Sequence, residues 1–233
     1  MTSERVATKP DGRRSAAAVR RRIREKEILD ATRALFDARG VRDAQIEDIA
    51  RAVGINRAII YRHFSGKEEL FALTLVGYLD DLEGRLSAAD DTASEPENRL
   101  RRLTETFIDF GLEFPAFVDC AQTLMRRPGP ELLEEVSEGS VYRLGRSIAS
   151  CLTRVSDVLR DGVEAGAFHT EDVHLLANTL YATGLGGMQL ARVGMLVKEA
   201  APGVPVVGEL SPEQVKRHMV AAALAMATGP RTR

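Results

Sequence analysis

Apolar side chains recur along this chain at intervals of three and four, the spacing of helices that bury one face. Ile28, Leu29, Thr32, Leu35 and Phe36 form one stripe of a helix that starts near Arg20 and ends at Gly40. Ile46, Ile49, Ala50 and Val53, closed by Gly54, predict a second helix of about two turns. Asn56 is a good cap for a third, with Ile60 and Phe64 turned inward. Ser65 and Glu68 have the spacing of a capping box opening a longer helix through Leu70, Leu73 and Leu82. Ser94 to Glu97 opens another, carrying Leu100, Leu103, Phe107, Phe110 and Phe114, which Pro115 must break or restart. A helix from Pro115 to Arg127 follows, and Leu144, Ile148, Leu152, Val155 and Leu159 carry the next, within residues 131 to 166. Glu171 and Asp172 start a helix reaching about Lys198, residues 200 to 210 read as a Pro/Gly loop, and Ser211-Pro212 begins the last helix. No convincing strand or internal repeat is found, so the chain reads as all-α: a three-helix head at 20–66, a larger helical body at 67–233, and a flexible basic arm at 1–19.

Composition sharpens this picture. With 44% hydrophobic and 28% charged residues in 233, the chain has material for one or two packed domains, and aromatic residues at 5% argue against a β-sandwich. No run approaches the ~18 apolar residues of a membrane span, and the polar, basic start lacks the apolar core of a signal peptide. A soluble, cytoplasmic protein without a membrane partner is expected. Cys120 and Cys151 are too isolated for a disulfide framework or zinc site. The formal charge of −2 hides an asymmetry, because residues 1 to 66 hold 15 Lys and Arg against 9 Asp and Glu. A basic head on an acidic body suggests a nucleic-acid module joined to a part that does not touch nucleic acid.

The 46–64 segment has the form of a helix-turn-helix: a helix, a tight turn through Gly54-Ile55-Asn56, and a second helix able to enter a major groove. With Ile60 and Phe64 inward, Ala58, Ile59 and Arg62 point most directly away from the core. Arg57 is free at the helix start, and Tyr61 and His63 lie on the flanks. An outward arginine suits guanine O6/N7, an outward isoleucine a thymine methyl.

These residues resemble the DNA-binding domain of the TetR family of one-component transcriptional regulators. The resemblance covers residues 24 to 71. It rests on Ile49-Ala50-x-x-Val53-Gly54, on Tyr61-x-x-Phe64 and on Lys67-Glu68-Glu69-Leu70 at fixed spacing. It implies that Tyr61, His63 and Lys67 contact phosphates and that Arg57, Ala58, Ile59 and Arg62 lie near bases. Two positions depart from the family pattern: Gln45 stands where a threonine is common, and Ala58-Ile59 replaces a Gly-Thr pair.

No catalytic or dinucleotide fingerprint occurs, so neither an enzyme nor a cofactor is expected. His169, Asp172 and His174 do not share one helix face, and a capping cluster explains them better than a metal site. The body supplies Phe107, Phe110, Phe114, Phe117, Leu124, Met125, Tyr142, Ile148, Tyr181 and Met188, a set suited to a mostly hydrophobic effector, although the spacing of the phenylalanines is also what core packing requires. Glycines 184, 186, 187 and 194 need a packing reason inside a helix, since each costs ~1 kcal/mol relative to alanine. The resemblance implies that the last two helices pair with their symmetry mates in a homodimer, and that the effector pocket is bounded by the helix beginning at Ser65. The function expected is that of a ligand-responsive regulator, a repressor by preference, on a pseudo-palindromic operator whose half-sites lie about one helical turn or a multiple apart. The alternative is a DNA-binding regulator controlled by a partner protein or its own concentration, without a small-molecule effector.

Overall fold

The computed structural model describes residues 12–229, and within them ten helices and one hairpin follow the chain. The head consists of α1 (Gly12–Arg39), α2 (Ile46–Val53) and α3 (Arg57–His63). The body begins with α4 (Lys67–Ala89), α5 (Pro96–Glu113) and α6 (Pro115–Met125). After α7 (Gly129–Glu135) and α8 (Glu138–Glu164), α9 (Val173–Val193) leads into β1 (Met195–Ala201) and β2 (Val204–Glu209), and α10 (Pro212–Thr228) closes the chain.

Helix α1 starts at Gly12, inside the stretch read as a flexible arm; residues 1–11 of that arm lie outside the described residues. The segment read as a loop at 200–210 is largely a strand. It pairs antiparallel with residues read as the end of α9, and α9 stops at Gly194, whose φ of +69° suits glycine. Pro205 hid the strand from the sequence pattern, yet proline is tolerated on an edge strand such as this one. The expected capping box at Ser65 is replaced by a different contact: Gly66 is the cap position of α4, and Glu69, not Glu68, reaches back to the Ser65 amide. Ser94 likewise does not cap α5, whose cap residue is Glu95. Ser211 and Gln214 do form a complete capping box on α10, and Asp172 caps α9 by accepting from the amides of His174 and Leu175.

One core runs from head to body. Ile28, Phe36, Ile49, Ile60 and Phe64 fill the head, and Phe36 meets Phe71 of α4 edge to face at 5.0 Å. In the body, α5 and α6 bend at Phe114-Pro115, and Phe110 packs against Phe114 at 5.0 Å and Phe117 at 5.2 Å. The glycines of α9 are explained within the subunit. A Cβ on Gly184 would lie 2.5 Å from the Phe107 ring, and one on Gly187 2.7 Å from Met219 Sδ, so α5 and α10 press directly on the α9 backbone. The buried face of α10, with Val215, Met219 and Ala223, is therefore taken up inside the chain rather than left for a symmetry mate.

Candidate nucleic-acid interface and effector cavity

The recognition helix is set by its two ends. Gly54, at φ +71°, makes the left-handed turn after α2, and its amide bonds back to Arg51 O. Asn56 then caps α3 by accepting from the Ile59 amide at 3.2 Å. Gln45 caps α2 with no side-chain hydrogen bond, so the substitution for threonine leaves that helix start without a side-chain acceptor. With Ile60 and Phe64 buried, Arg57, Ala58, Tyr61 and Arg62 are exposed, while Ile59 and His63 are half-buried. Arg57 holds Glu47 of α2 at 2.8 Å. Lys67, at the first turn of α4, lies 5.0 Å from the Phe71 ring centre.

The structure adds a wall that the sequence pattern did not place. Arg20, Arg21, Ile23 and Arg24 of α1 face Ile59, Arg62 and His63 of α3 across a shallow groove. Burial, then the charge of Arg21, holds the His63 imidazole below its ordinary pKa despite the opposing charge of Glu25, with Arg24 and Arg62 also lowering it. Ile59 is half covered by this basic turn, so only part of the outward isoleucine meets water.

The body encloses an apolar cavity between α4, α5, α8, α9 and α10. Its walls include Leu79, Leu82 and Leu86 of α4, Leu103 and Phe107 of α5, Ile148 and Leu152 of α8, and Tyr181 and Gly184 of α9. The cavity has a volume of only about 60 Å³ and opens to the surface through a mouth. The cavity is a slit. Its polar groups are largely spent: Thr104 donates to Leu100 O at 2.8 Å, Thr183 to Thr179 O at 2.7 Å, and Cys151 to Leu79 O at 3.4 Å. Burial pushes the Cys151 thiol up to about 12 and raises the Tyr181 phenol as well, so both stay neutral. No Asp, Glu, Lys, Arg or His side chain among the described residues lines the space.

Of the ten effector residues read from sequence, the cavity brings together Phe107, Ile148 and Tyr181. Phe110, Phe117 and Met188 are fully buried in the core, and Leu124 nearly so; Phe114 is half-buried at the α5–α6 bend. Met188 Sδ sits where a Cβ on Gly111 would come within 1.9 Å, so it serves the α5–α9 contact. Met125 and Tyr142 are exposed, at 55% and 71%, and stand outside this cavity's lining. The leucines of α4 were missed because sequence periodicity gave their face to the core without showing that the core is open there.

Head and body meet at a carboxylate. Glu69 of α4 is buried and accepts from the Ser65 amide at 2.5 Å, from Ser140 Oγ at 2.7 Å and from Ser137 Oγ. Burial would raise its pKa, but these hydrogen bonds outweigh burial and bring it down to about 2. Around it, Ser65 Oγ donates to Glu135 O at 3.2 Å, and Arg127 holds Glu68 at 3.2 Å and also Glu135. The loop that ends the recognition helix is thereby fixed to the first turn of α8.

A helix-turn-helix head fixed in this way to a helical body defines the class of helix-turn-helix DNA-binding regulators. Residues 28–74 match the model of the bacterial regulatory proteins of the tetR family. The repressor KstR2 of Mycobacterium tuberculosis is 30% identical over 158 residues, covering 66% of this chain and 74% of KstR2. The activator FasR of Mycolicibacterium smegmatis is 32% identical over 111 residues, so the chain spans about half of FasR's length. The structure of the ketosteroid transcriptional regulator KstR2 of Mycobacterium tuberculosis superposes with a TM-score of 0.54 at 27% identity, covering 89% of this chain and 96% of that one. RolR in complex with resorcinol shares the fold, with a TM-score of 0.64 at 17% identity over 90% of each chain. The chain belongs to the tetR family: it is a DNA-binding transcriptional regulator and not an enzyme. Among the described residues, no helix is long and apolar enough to cross a membrane.

Proposed function

We propose that the protein is a cytoplasmic, ligand-responsive repressor that occupies a pseudo-palindromic operator as a homodimer and is released by a mostly hydrophobic small molecule. The observation that carries this reading is the uncharged slit against α4, the helix that also bears Glu69 at the head junction. A slit this narrow cannot take a drug-sized molecule without its walls moving apart, so binding and helix displacement are the same event. A ligand that favours the opened body then shifts the population away from the DNA-bound arrangement by its differential affinity. Walls without charged groups suit a fused-ring or acyl moiety, in keeping with the ketosteroid regulator among the relatives. Control by a partner protein would leave this cavity without a use.

The homodimer seam in this reading is the exposed stripe of α9, Leu175, Thr179, Ala182, Gly186, Leu190 and Val193, beside the exposed Ala221 and Ala225 of α10. On the DNA face, Arg62 and Ile59 read bases while Tyr61, His63 and Lys67, with Arg20, Arg21 and Arg24 of α1, meet phosphates. Two measurements test the proposal on an operator selected from a random duplex pool. Lys67→Ala weakens specific and non-specific binding alike and lowers the salt slope by about one. Arg62→Ala relaxes preference at particular base pairs, worth ~1 to 3 kcal/mol of discrimination; uniform weakening with preference intact contradicts the assigned face.

The cavity is tested by Gly184→Leu, whose side chain pushes the Phe107 ring into the slit. Ligand-free operator affinity is unchanged, and the concentration of steroid or acyl thioester needed for release rises roughly tenfold or more. Unaltered release by a compound that frees the parent protein places the effector elsewhere.

A further inference from the structure

The β1–β2 hairpin is an insertion between the two helices whose exposed faces form the proposed seam. Its base is closed by the Leu210 amide on Gly194 O at 2.9 Å, and its tip turns at Gly203, φ +78°. Nothing among the described residues covers it. No residue of either strand is buried, and both strands are edges of a two-stranded sheet.

Its surface is unusually apolar for such a position. Val197 and Val207 are cross-strand partners, exposed at 77% and 66%, and Met195, Val204 and Val206 are exposed as well. Together with Leu190 and Val193 at the end of α9, they make up half of the large hydrophobic side chains exposed among the described residues. A two-stranded hairpin is marginal alone in water, and an open apolar edge invites pairing, so a covering surface is expected.

Three observations name the cover. The apolar run is continuous with the exposed stripe of α9 through Leu190 and Val193, so whatever meets α9 there also meets the hairpin. The charges on the hairpin, Lys198, Glu199 and Glu209, are mixed and on balance acidic, which suits neither phosphates of DNA nor an anionic lipid surface. The exposed stripe of α10 offers alanines, which permit close approach but little area, while a standard interface needs roughly 800 Å² per partner. We propose that the hairpin is a dimerisation arm that lies on a second copy of this chain, burying the Val197/Val207 face and extending the α9–α10 seam. The two-fold axis of a homodimer makes the contact reciprocal, each arm covering the other copy.

The inference rests on the homodimer reading and adds to it a contact that can fail separately. Sedimentation equilibrium of the full chain is compared for the parent, V197E/V207E and V197T/V207T, with far-UV circular dichroism as a check on folding. The parent is a dimer, V197E/V207E raises its dissociation constant roughly tenfold or more, and V197T/V207T, which keeps strand-forming residues, raises it less. A dimeric parent whose dissociation constant is unchanged in both variants overturns the arm and leaves the homodimer standing; a parent monomeric at all concentrations overturns both. Variants that dimerise like the parent but lose binding to operator DNA or to phosphatidylglycerol vesicles assign the face to that partner and also overturn the arm.

Discussion

Replacing Arg99 with alanine is expected to lower the unfolding free energy by about 3 to 5 kcal/mol, the usual cost of leaving a buried charge without its partner. Arg99, in the first turn of α5, is 5% exposed. It grips Asp90 at the end of α4 with two hydrogen bonds, Nε to Oδ1 at 2.8 Å and a terminal nitrogen to Oδ2 at 3.2 Å. Its remaining terminal nitrogen reaches Asp161 of α8 at 2.5 Å. The Asp90 side chain is only 6% exposed, and Arg154, at 3.9 Å, is too distant to replace Arg99. One guanidinium thus ties together the ends of three helices that wall the cavity, and the two carboxylates hold its pKa above the ordinary value. Urea unfolding at fixed protein concentration checks the prediction. Combining Arg99→Met with Asp90→Asn should recover a large part of the loss, because the double change removes the stranded charge itself. A double variant no more stable than Arg99→Met alone would show that the cost is lost packing.

The sequence carried the head more fully than the body, for a physical reason. In the helix-turn-helix, every determinant is local: Gly54 supplies the left-handed turn, Asn56 the cap, and Ile60 and Phe64 fix which side of α3 faces out. The cavity of the body depends on which helices become neighbours, and periodicity says nothing of that. Tyr142 has the composition of a ligand contact but falls on the outer turn of α8. Phe107, Phe110, Phe114 and Phe117 read as one aromatic series, yet Phe107 meets Tyr181 of α9 at the cavity wall while Phe110 packs on Phe117 in the core across the bend at Pro115. The α9 glycines announced a close approach without saying whose: Gly184 and Gly187 are pressed by Phe107 and Met219 of the same chain, and only Gly186 is left facing outward. Glu69 lay inside the Lys67-Glu68-Glu69-Leu70 motif, but its partners Ser137 and Ser140 are about seventy residues away and carry no local signal.

That junction gives the second large effect expected. Glu69 has a folded pKa brought down to about 2 from an ordinary 4.5, so its carboxylate stabilises the fold when ionised. The contribution is present in full above about pH 4.5, where the carboxylate is ionised in both states, and is lost as the pH falls toward 2. At one kcal/mol and a third for each pKa unit it amounts to roughly 3 kcal/mol at neutral pH. Glu69→Gln keeps the shape but turns an amide NH₂ toward a site that holds three donors, from Ser65, Ser137 and Ser140, so it should forfeit most of that amount at pH 7. The gap between parent and variant in urea midpoint then closes as the pH is taken from 5 to below 3. A gap that stays constant over that range would mean the ionised carboxylate contributes nothing beyond packing. Because the same carboxylate fixes the end of the recognition helix to the first turn of α8, the variant should also respond less to a ligand that opens the slit, even where its operator affinity at pH 7 is close to that of the parent. Movement of α8 that no longer pulls on Ser65 has no route through this contact to the DNA face.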